Sequence, residues 1–266
     1  MTHADAKQRL LAAYDQQLRT DAETSDALTV TNLGPLRLAT FLGGRGFITY
    51  RNLDAADHEG IRSLVAEAIA YFMGRPEISR VEWKTRGHDH APGLHEALVA
   101  NGFAADEPES IMIGEAQALS VDVPLPDGVR LRRVVDEPEV RAMTAMQDEV
   151  FGDPVSDEMA DELLYRMTLD DDMELWVAEA QGHVVSAGRL EPVPGTDFAG
   201  IWGGVTRPEW RGRGIYRALT ARRAQSALSK GKTFIQSDST EYSRPILERS
   251  GLLKVSTTTP YRWARS

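Results

Sequence analysis

The stretch from Gly203 to Leu219 reads Gly-Gly-Val-Thr-Arg-Pro-Glu-Trp-Arg-Gly-Arg-Gly-Ile-Tyr-Arg-Ala-Leu. A strand rich in small residues leads into a glycine-bearing loop and then a long helix. Gly212 and Gly214 let backbone approach a ligand closely. A helix start offers unpaired N–H groups and the positive end of the helix dipole. Arg211 and Arg213 add fixed charge, so the stretch suits a diphosphate. Two other phosphate loops fail on residues. Gly231-Lys232-Thr233 could end a Walker A loop, but Ser226 stands where its first glycine belongs and a strand follows. A dinucleotide fingerprint needs a third glycine where Arg217 stands.

Arg211-Gly212-Arg213-Gly214-Ile215-Tyr216, led in by Pro208, Glu209 and Trp210, resembles the signature of the GCN5-related N-acetyltransferase (GNAT) family, Arg/Gln-x-x-Gly-x-Gly/Ala. Element order extends the resemblance over about residues 128–266: a helix to Leu228, a strand to Ser237, a short helix ending in Ser250-Gly251-Leu252, then a last strand. Tyr216 departs from the signature, replacing a small residue in the first helical turn. The resemblance implies acetyl-CoA as acyl donor and no metal. The pyrophosphate would sit on backbone N–H groups of Arg211, Gly212, Arg213, Gly214, Ile215 and Tyr216. The pantetheine arm would lie along Val205 and Thr206 like an added strand. Attack by the amine would be direct, in a ternary complex. A small molecule with a primary amine is the expected acceptor.

Acetylating an amine needs a neutral nitrogen, a polarised carbonyl and a proton for the leaving thiolate. The family often places a Glu on the strand before the cradle, but Phe198–Thr206 holds no carboxylate; Asp197 and Glu191 are nearest. Many relatives carry a Tyr where this chain has Leu247. Asp238 and Glu241, just beyond the strand Thr233–Ser237, are therefore the candidates for a base or amine-binding carboxylate, with ordinary helix capping as the plain alternative. Tyr216 and Tyr242 are candidate thiolate acids. The missing Glu and Tyr also fit a different class, an acyl-CoA-binding sensor or assembly module without turnover. Asp170-Asp171-Asp172 suits a cationic amine or a solvated loop. Met143, Met146, Met159, Met167 and Met173 suit core packing, or an adaptable roof over the acceptor.

The elements that must position these residues come in two similar series. In the first half, Leu10, Leu11, Tyr14 and Leu18 mark a helix. Strands follow at Leu36–Phe41 and Gly46–Arg51, then a helix through Ile61–Phe72, a strand at 81–85, a helix at Leu94–Ala100 and a strand at 110–113. Asp122-Val-Pro-Leu-Pro-Asp-Gly128 is the linker candidate. Beyond it come a strand from Val129, helices at 139–151 and 157–167, strands at 175–180, 184–190 and 198–206, and the elements named above; Leu252–Trp263 is extended. Leu98–Phe103 and Leu247–Leu252 share a helix end with glycine and then an apolar residue, which supports an internal duplication. The chain thus reads as α/β, two tandem GNAT-like domains, each a mixed, mostly antiparallel twisted sheet flanked by helices. Residues 1–121 form a degenerate copy, 122–128 the linker and 129–266 the active domain. In the first half the turn Asn52–Gly60 lacks the signature, and Asp54, Asp57 and Glu59 would repel a pyrophosphate. One donor site is expected.

Composition narrows the rest. There are 266 residues, 30 Lys+Arg against 40 Asp+Glu, and no Cys, which excludes disulfides, a cysteine acyl-enzyme and Cys-ligated metals. Net charge −10 opposes a broad nucleic-acid surface, although Arg207, Arg211, Arg213, Arg217, Arg222 and Arg223 form a local cluster in sequence. No apolar run reaches the ~20 residues of a membrane span. No basic-then-apolar leader opens the sequence, so the cytoplasm is the expected location. His88-Asp89-His90 with His95 mimics a metal cluster but reads as loop histidines. Gly43-Gly44-Arg45-Gly46 mimics a phosphate loop but reads as a hairpin turn. Oligomeric state is not legible.

Overall fold

The computed structural model of the protein describes residues 2–169 and 172–265. Asp170 and Asp171 lie outside the described residues, while Asp172 accepts from Lys230 Nζ at 2.8 Å. Helix α1 (His3–Gln17) opens with a capping box between Thr2 and Asp5. Strands β1 (Thr29–Leu33), β2 (Leu36–Phe41) and β3 (Arg45–Tyr50) run antiparallel. Strand β1 escapes sequence reading because it is an edge whose first four residues are exposed, so no alternation of apolar residues marks it. Gly43 and Gly44 take φ of +69° and +67°, and a side chain on Gly44 would meet the Glu77 carbonyl, so this glycine run is the turn between β2 and β3. Helix α2 (His58–Met73), β4 (Arg80–Lys84), α3 (Leu94–Ala100), β5 (Ala104–Ala105) and β6 (Glu109–Glu115) follow.

After the short helix α4 (Ala116–Leu119) come β7 (Val129–Val134), α5 (Glu137–Phe151), α6 (Glu158–Met167), β8 (Glu174–Ala180), β9 (His183–Pro192) and β10 (Phe198–Thr206). Then come α7 (Ile215–Ser229), β11 (Phe234–Ser239), α8 (Arg244–Ser250), β12 (Leu253–Thr258) and β13 (Pro260–Ala264). The strands form two sheets, ordered β1-β2-β3-β4-β13-β5 and β12-β6-β11-β10-β9-β8-β7. The tail expected as one extended piece is two strands with different destinations. β12 edges the second sheet, whereas β13 runs antiparallel to both β4 and β5 in the first. Reciprocally, β6 lies between β11 and β12. The compact units are accordingly discontinuous: residues 1–111, 238–241 and 254–266 form one, residues 112–237 and 242–253 the other.

The first unit's core gathers Leu38, Ile48, Tyr50, Ile61, Val65, Phe72, Trp83 and Leu98. The second unit buries both sheet faces. Leu190, Ile201, Ile235 and Leu247 pack with Ala224 and Ala227 of α7. On the other face Val177, Ala187 and Val205 pack with Val140, Met143, Met146 and Leu163 from α5 and α6. Met143, Met146 and Met173 are buried there with Met167 against them, so these four methionines are core; Met159 is exposed.

Two helix ends repeat each other bond for bond. Gly102 (φ +84°) and Gly251 (φ +107°) each turn left-handed. Phe103 N donates to Leu98 O at 3.0 Å, and Leu252 N to Leu247 O at 3.0 Å. The following residue, Phe103 or Leu252, is buried in each case.

Candidate functional site

Strands β10 and β11 pair in parallel only at Phe198–Phe234, Ala199–Ile235 and Gly200–Gln236. Beyond these pairs the ladder stops while β10 continues to Thr206, its other edge still paired with β9 across a bulge between Trp202 and Val205. Gly203 supplies the bulge with φ +60°. Its carbonyl accepts from Gln147 Nε2 of α5 at 2.6 Å. Val205 O accepts from Ser186 Oγ at 2.6 Å, and Thr206 O from Arg211 Nε at 3.0 Å. The end of β10 is thus held rigidly while its β11-facing edge has no strand partner. That suits an extended arm lying along Val205 and Thr206.

The loop after β10 makes one 3₁₀ turn at Pro208–Trp210 and passes Gly212 (φ +73°) and Gly214 (φ +80°) before α7 begins. A Cβ on Gly212 would meet nothing, and one on Gly214 only Pro124 O at 3.9 Å. Both glycines therefore serve left-handed backbone rather than space. Gly214 is the N-cap of α7 and provides no side-chain cap, so the first N–H groups of a 15-residue helix are left for a ligand. Arg213 stacks over the Trp210 ring at 4.8 Å. These residues fit a diphosphate: open amides, a dipole end and two arginines.

Tyr216, the departure from the family signature, has a physical explanation. A Cβ on Gly204 would stand 2.8 Å from the Tyr216 ring and 2.9 Å from its hydroxyl oxygen. The phenol thus occupies the room that glycine leaves at the bulge. Behind it is Arg223, a buried charge that sequence reading assigned only to a cluster. Its guanidinium donates to Arg189 O at 3.1 Å, Leu219 O at 3.3 Å and Thr220 Oγ1 at 3.4 Å. Burial lowers its pKa, and the electrostatic influence of the neighbouring Tyr216 side chain opposes that shift. The other arginines of the cluster diverge: Arg207 pairs with Glu149, and Arg222 stacks on Trp176.

Asp238 Oδ2 accepts from Lys84 Nζ at 2.7 Å, both counted with the first unit. Burial works against the Lys84 charge, but Asp238 foremost overrides it and raises the lysine's pKa. Glu241 is exposed and belongs to the first unit, and Tyr242 is 92% exposed. Leu247 is core. Sequence reading also passed over Arg189. Glu191 Oε1 accepts from Arg189 Nε at 2.5 Å and from Arg166 of α6 at 3.0 Å. Burial would raise the Glu191 pKa, but the two arginines hold it below the ordinary carboxylate range. The alternation Arg189-x-Glu191 on a strand was the available signal.

The corresponding places in the first unit are closed. The β3–β4 ladder ends at Ile48–Trp83. Just beyond, Arg86 NH1 bridges Thr49 Oγ1 and Lys84 O at 3.0 Å each. Helix α2 is capped by its own Asp57, which accepts from Gly60 N at 2.9 Å. His88 and Asp89 join an ion network in which Asp89 accepts both terminal nitrogens of Arg19, at 2.7 and 2.8 Å. Among the described residues no group of three or more His, Cys, Asp or Glu is arranged to hold a metal ion, and no helix is long and apolar enough to cross a membrane.

Comparison with known proteins agrees with this geometry. The model of the acetyltransferase (GNAT) family matches residues 140–251. A GCN5-related N-acetyltransferase from Kribbella flavida is similar in structure with a TM-score of 0.69 at 15% identity, over 97% of this chain and 95% of that one. One from Sphaerobacter thermophilus gives 0.62 at 18% identity, over 86% and 76%. A tandem GNAT protein from the clavulanic acid biosynthesis pathway gives 0.61 at 14%, over 86% and 78%. No curated protein matches by sequence. The open helix end at Gly214 thus lies within residues 140–251, the stretch that matches the GNAT acetyltransferase family model, in a chain whose fold is similar to solved GCN5-related N-acetyltransferases and to a tandem GNAT protein.

Proposed function

We propose that the second unit transfers the acetyl group of acetyl-CoA to the primary amine of a small molecule by direct attack. The observation that carries this reading is the uncapped start of α7 beside the splayed edge of β10. In this reading the amides from Arg211 to Tyr216 hold the pyrophosphate and the backbone of Val205 and Thr206 holds the arm. The neutral amine nitrogen attacks the thioester carbon; the C–N bond forms and the C–S bond breaks. In sum, the proton the nitrogen loses equals the proton the sulfur gains. Tyr216 is the proposed donor to the thiolate, because its hydroxyl lies in the room that Gly204 leaves at the bulge. Asp238 is assigned to the ion pair with Lys84, and Glu241 and Tyr242 are given no chemical role.

Calorimetric titration with acetyl-CoA should give one site per chain, since Asp57 caps α2 and Arg86 fills the first unit's splay. Two sites would overturn the degenerate reading of residues 1–121. Binding with no acceptor-dependent thiol release would favour a non-catalytic acyl-CoA sensor. Tyr216→Phe should lower kcat about 100-fold, in the range of a general acid, with acetyl-CoA affinity unchanged. Retained kcat, or loss in Asp238→Asn instead, would move the proton transfer elsewhere.

A further inference from the structure

On the face of the second sheet that packs against α5 and α6, one charged group is not consumed by the fold. Arg189 stands directly opposite Trp202 across the β9–β10 pair, where side chains share a face at ~5 Å. Its Nε is fixed by Glu191. Its terminal nitrogens reach the bulge, with NH1 3.2 Å from the position of a Cβ on Gly203. Those two nitrogens donate to no protein acceptor among the described residues, and the side chain remains 21% exposed. Arg166 also donates to Glu191. The Arg189 group is held at one end and open at the other. A planar fork of this kind matches a carboxylate in two parallel hydrogen bonds. The positive charge of Arg189 itself disfavours a polyamine or other polycation at this point.

Resting on the reading of the second unit as an acetyltransferase, we propose that the acceptor is an amino acid, its carboxylate bound by Arg189 and its side chain lying on Trp202. Arg189 then sets both affinity and orientation. It anchors the carboxylate beside Gly203, so the amino group is presented toward the splay of β10 and β11. Glu191 acts through Arg189 as a positioning residue: it fixes the fork and keeps its remaining donors outward.

The test compares L-leucine and L-phenylalanine with their primary amides and with the decarboxylated amines, following thiol release from acetyl-CoA. The acids should exceed the amides and amines by about 100-fold in kcat/KM, as expected when a site built for a polar group meets an analogue lacking it. Arg189→Gln should raise KM for the acids about 30-fold or more and bring the acid-to-amide ratio towards one, with acetyl-CoA affinity unchanged; Arg189→Lys should recover part of the loss. Amides or amines accepted as well as the acids, or a ratio unmoved by Arg189→Gln, would overturn the proposal. So would turnover confined to polyamines. If no acceptor releases thiol, saturation-transfer NMR with N-acetyl-L-leucine and the CoA-bound protein decides: no signal overturns the carboxylate site. Failure of the acetyl-CoA titration, by contrast, removes the acetyltransferase reading itself.

Discussion

Gly214→Val should abolish measurable acetyl-CoA binding in a protein that remains folded. Gly214 holds φ +80° immediately before α7. A β-branched residue in that conformation costs roughly 1–3 kcal/mol and is relieved by turning the peptide away from left-handed geometry. That turn redirects the N–H groups at the helix start. Two charge-assisted hydrogen bonds lost at roughly 1.5 kcal/mol each amount to about 3 kcal/mol, a weakening of at least about 100-fold. The new side chain has room, since the only neighbour near a Cβ is Pro124 O at 3.9 Å. Gly195→Val is the matched control: Gly195 has φ +70° and open space, with no part in the cradle. Calorimetry on both variants, with thermal melts alongside, separates strain from binding. Undiminished affinity in folded Gly214→Val would remove the diphosphate cradle from this loop.

The second large effect concerns stability. Glu23→Gln should lower the melting temperature by roughly 6–20 °C, from about 3–5 kcal/mol lost on breaking a buried pair at ~2–4 °C per kcal/mol. Glu23 accepts from Thr49 Oγ1 at 2.6 Å and pairs with Arg86, whose side chain is fully buried; Arg37 and Lys84 lie within 3.7 and 4.0 Å. Gln preserves the shape and removes the one carboxylate that pairs with Arg86 among the described residues. Burial pushes the Glu23 carboxyl upward, but Arg86, then Lys84, the Thr49 bond and Arg37 outweigh it, and the folded-state pKa lies below the ordinary value. A depressed carboxylate pKa contributes stability that is present above the unfolded value and lost as pH falls through the folded one. The gap between wild type and variant should therefore be full at neutral pH and close progressively in acid. A gap unchanged between pH 7 and pH 3 would show that the charge is not the cause.

The loop and helix start of the proposed cradle were legible in sequence because they are local: glycines at fixed offsets, an arginine pair and a helix start are contiguous. Glycine φ values at 102, 212, 214 and 251 are local too, and all four are positive. Helices and most strands were legible from period and punctuation. The partners of long-range pairs were not. Nothing in the run Leu252–Trp263 announces that Pro260–Ala264 lies antiparallel to Arg80–Lys84, because a strand's neighbour is chosen by shape and register far from its own residues. The same limit hid Gly204 as the space for Tyr216, and placed Asp238 on a plausible strand end without disclosing Lys84. Arg189 and Glu191 share a face by strand period alone, but Trp202 as the neighbour of Arg189 emerges only once β9 is paired with β10.

The exchanged strands also fix when the protein can fold during its synthesis. Domains commonly fold as they leave the ribosome, N-terminal first. Here the first sheet must wait for residues 260–264, the last strand among the described residues, before β4 and β5 gain their shared neighbour. Until then β4 carries an unpaired edge, a template for other chains. Cutting the gene within 122–128 would give a first fragment without β13 and a second without β6. Neither product would have a complete sheet, so each half depends on a strand that the other half's sequence supplies.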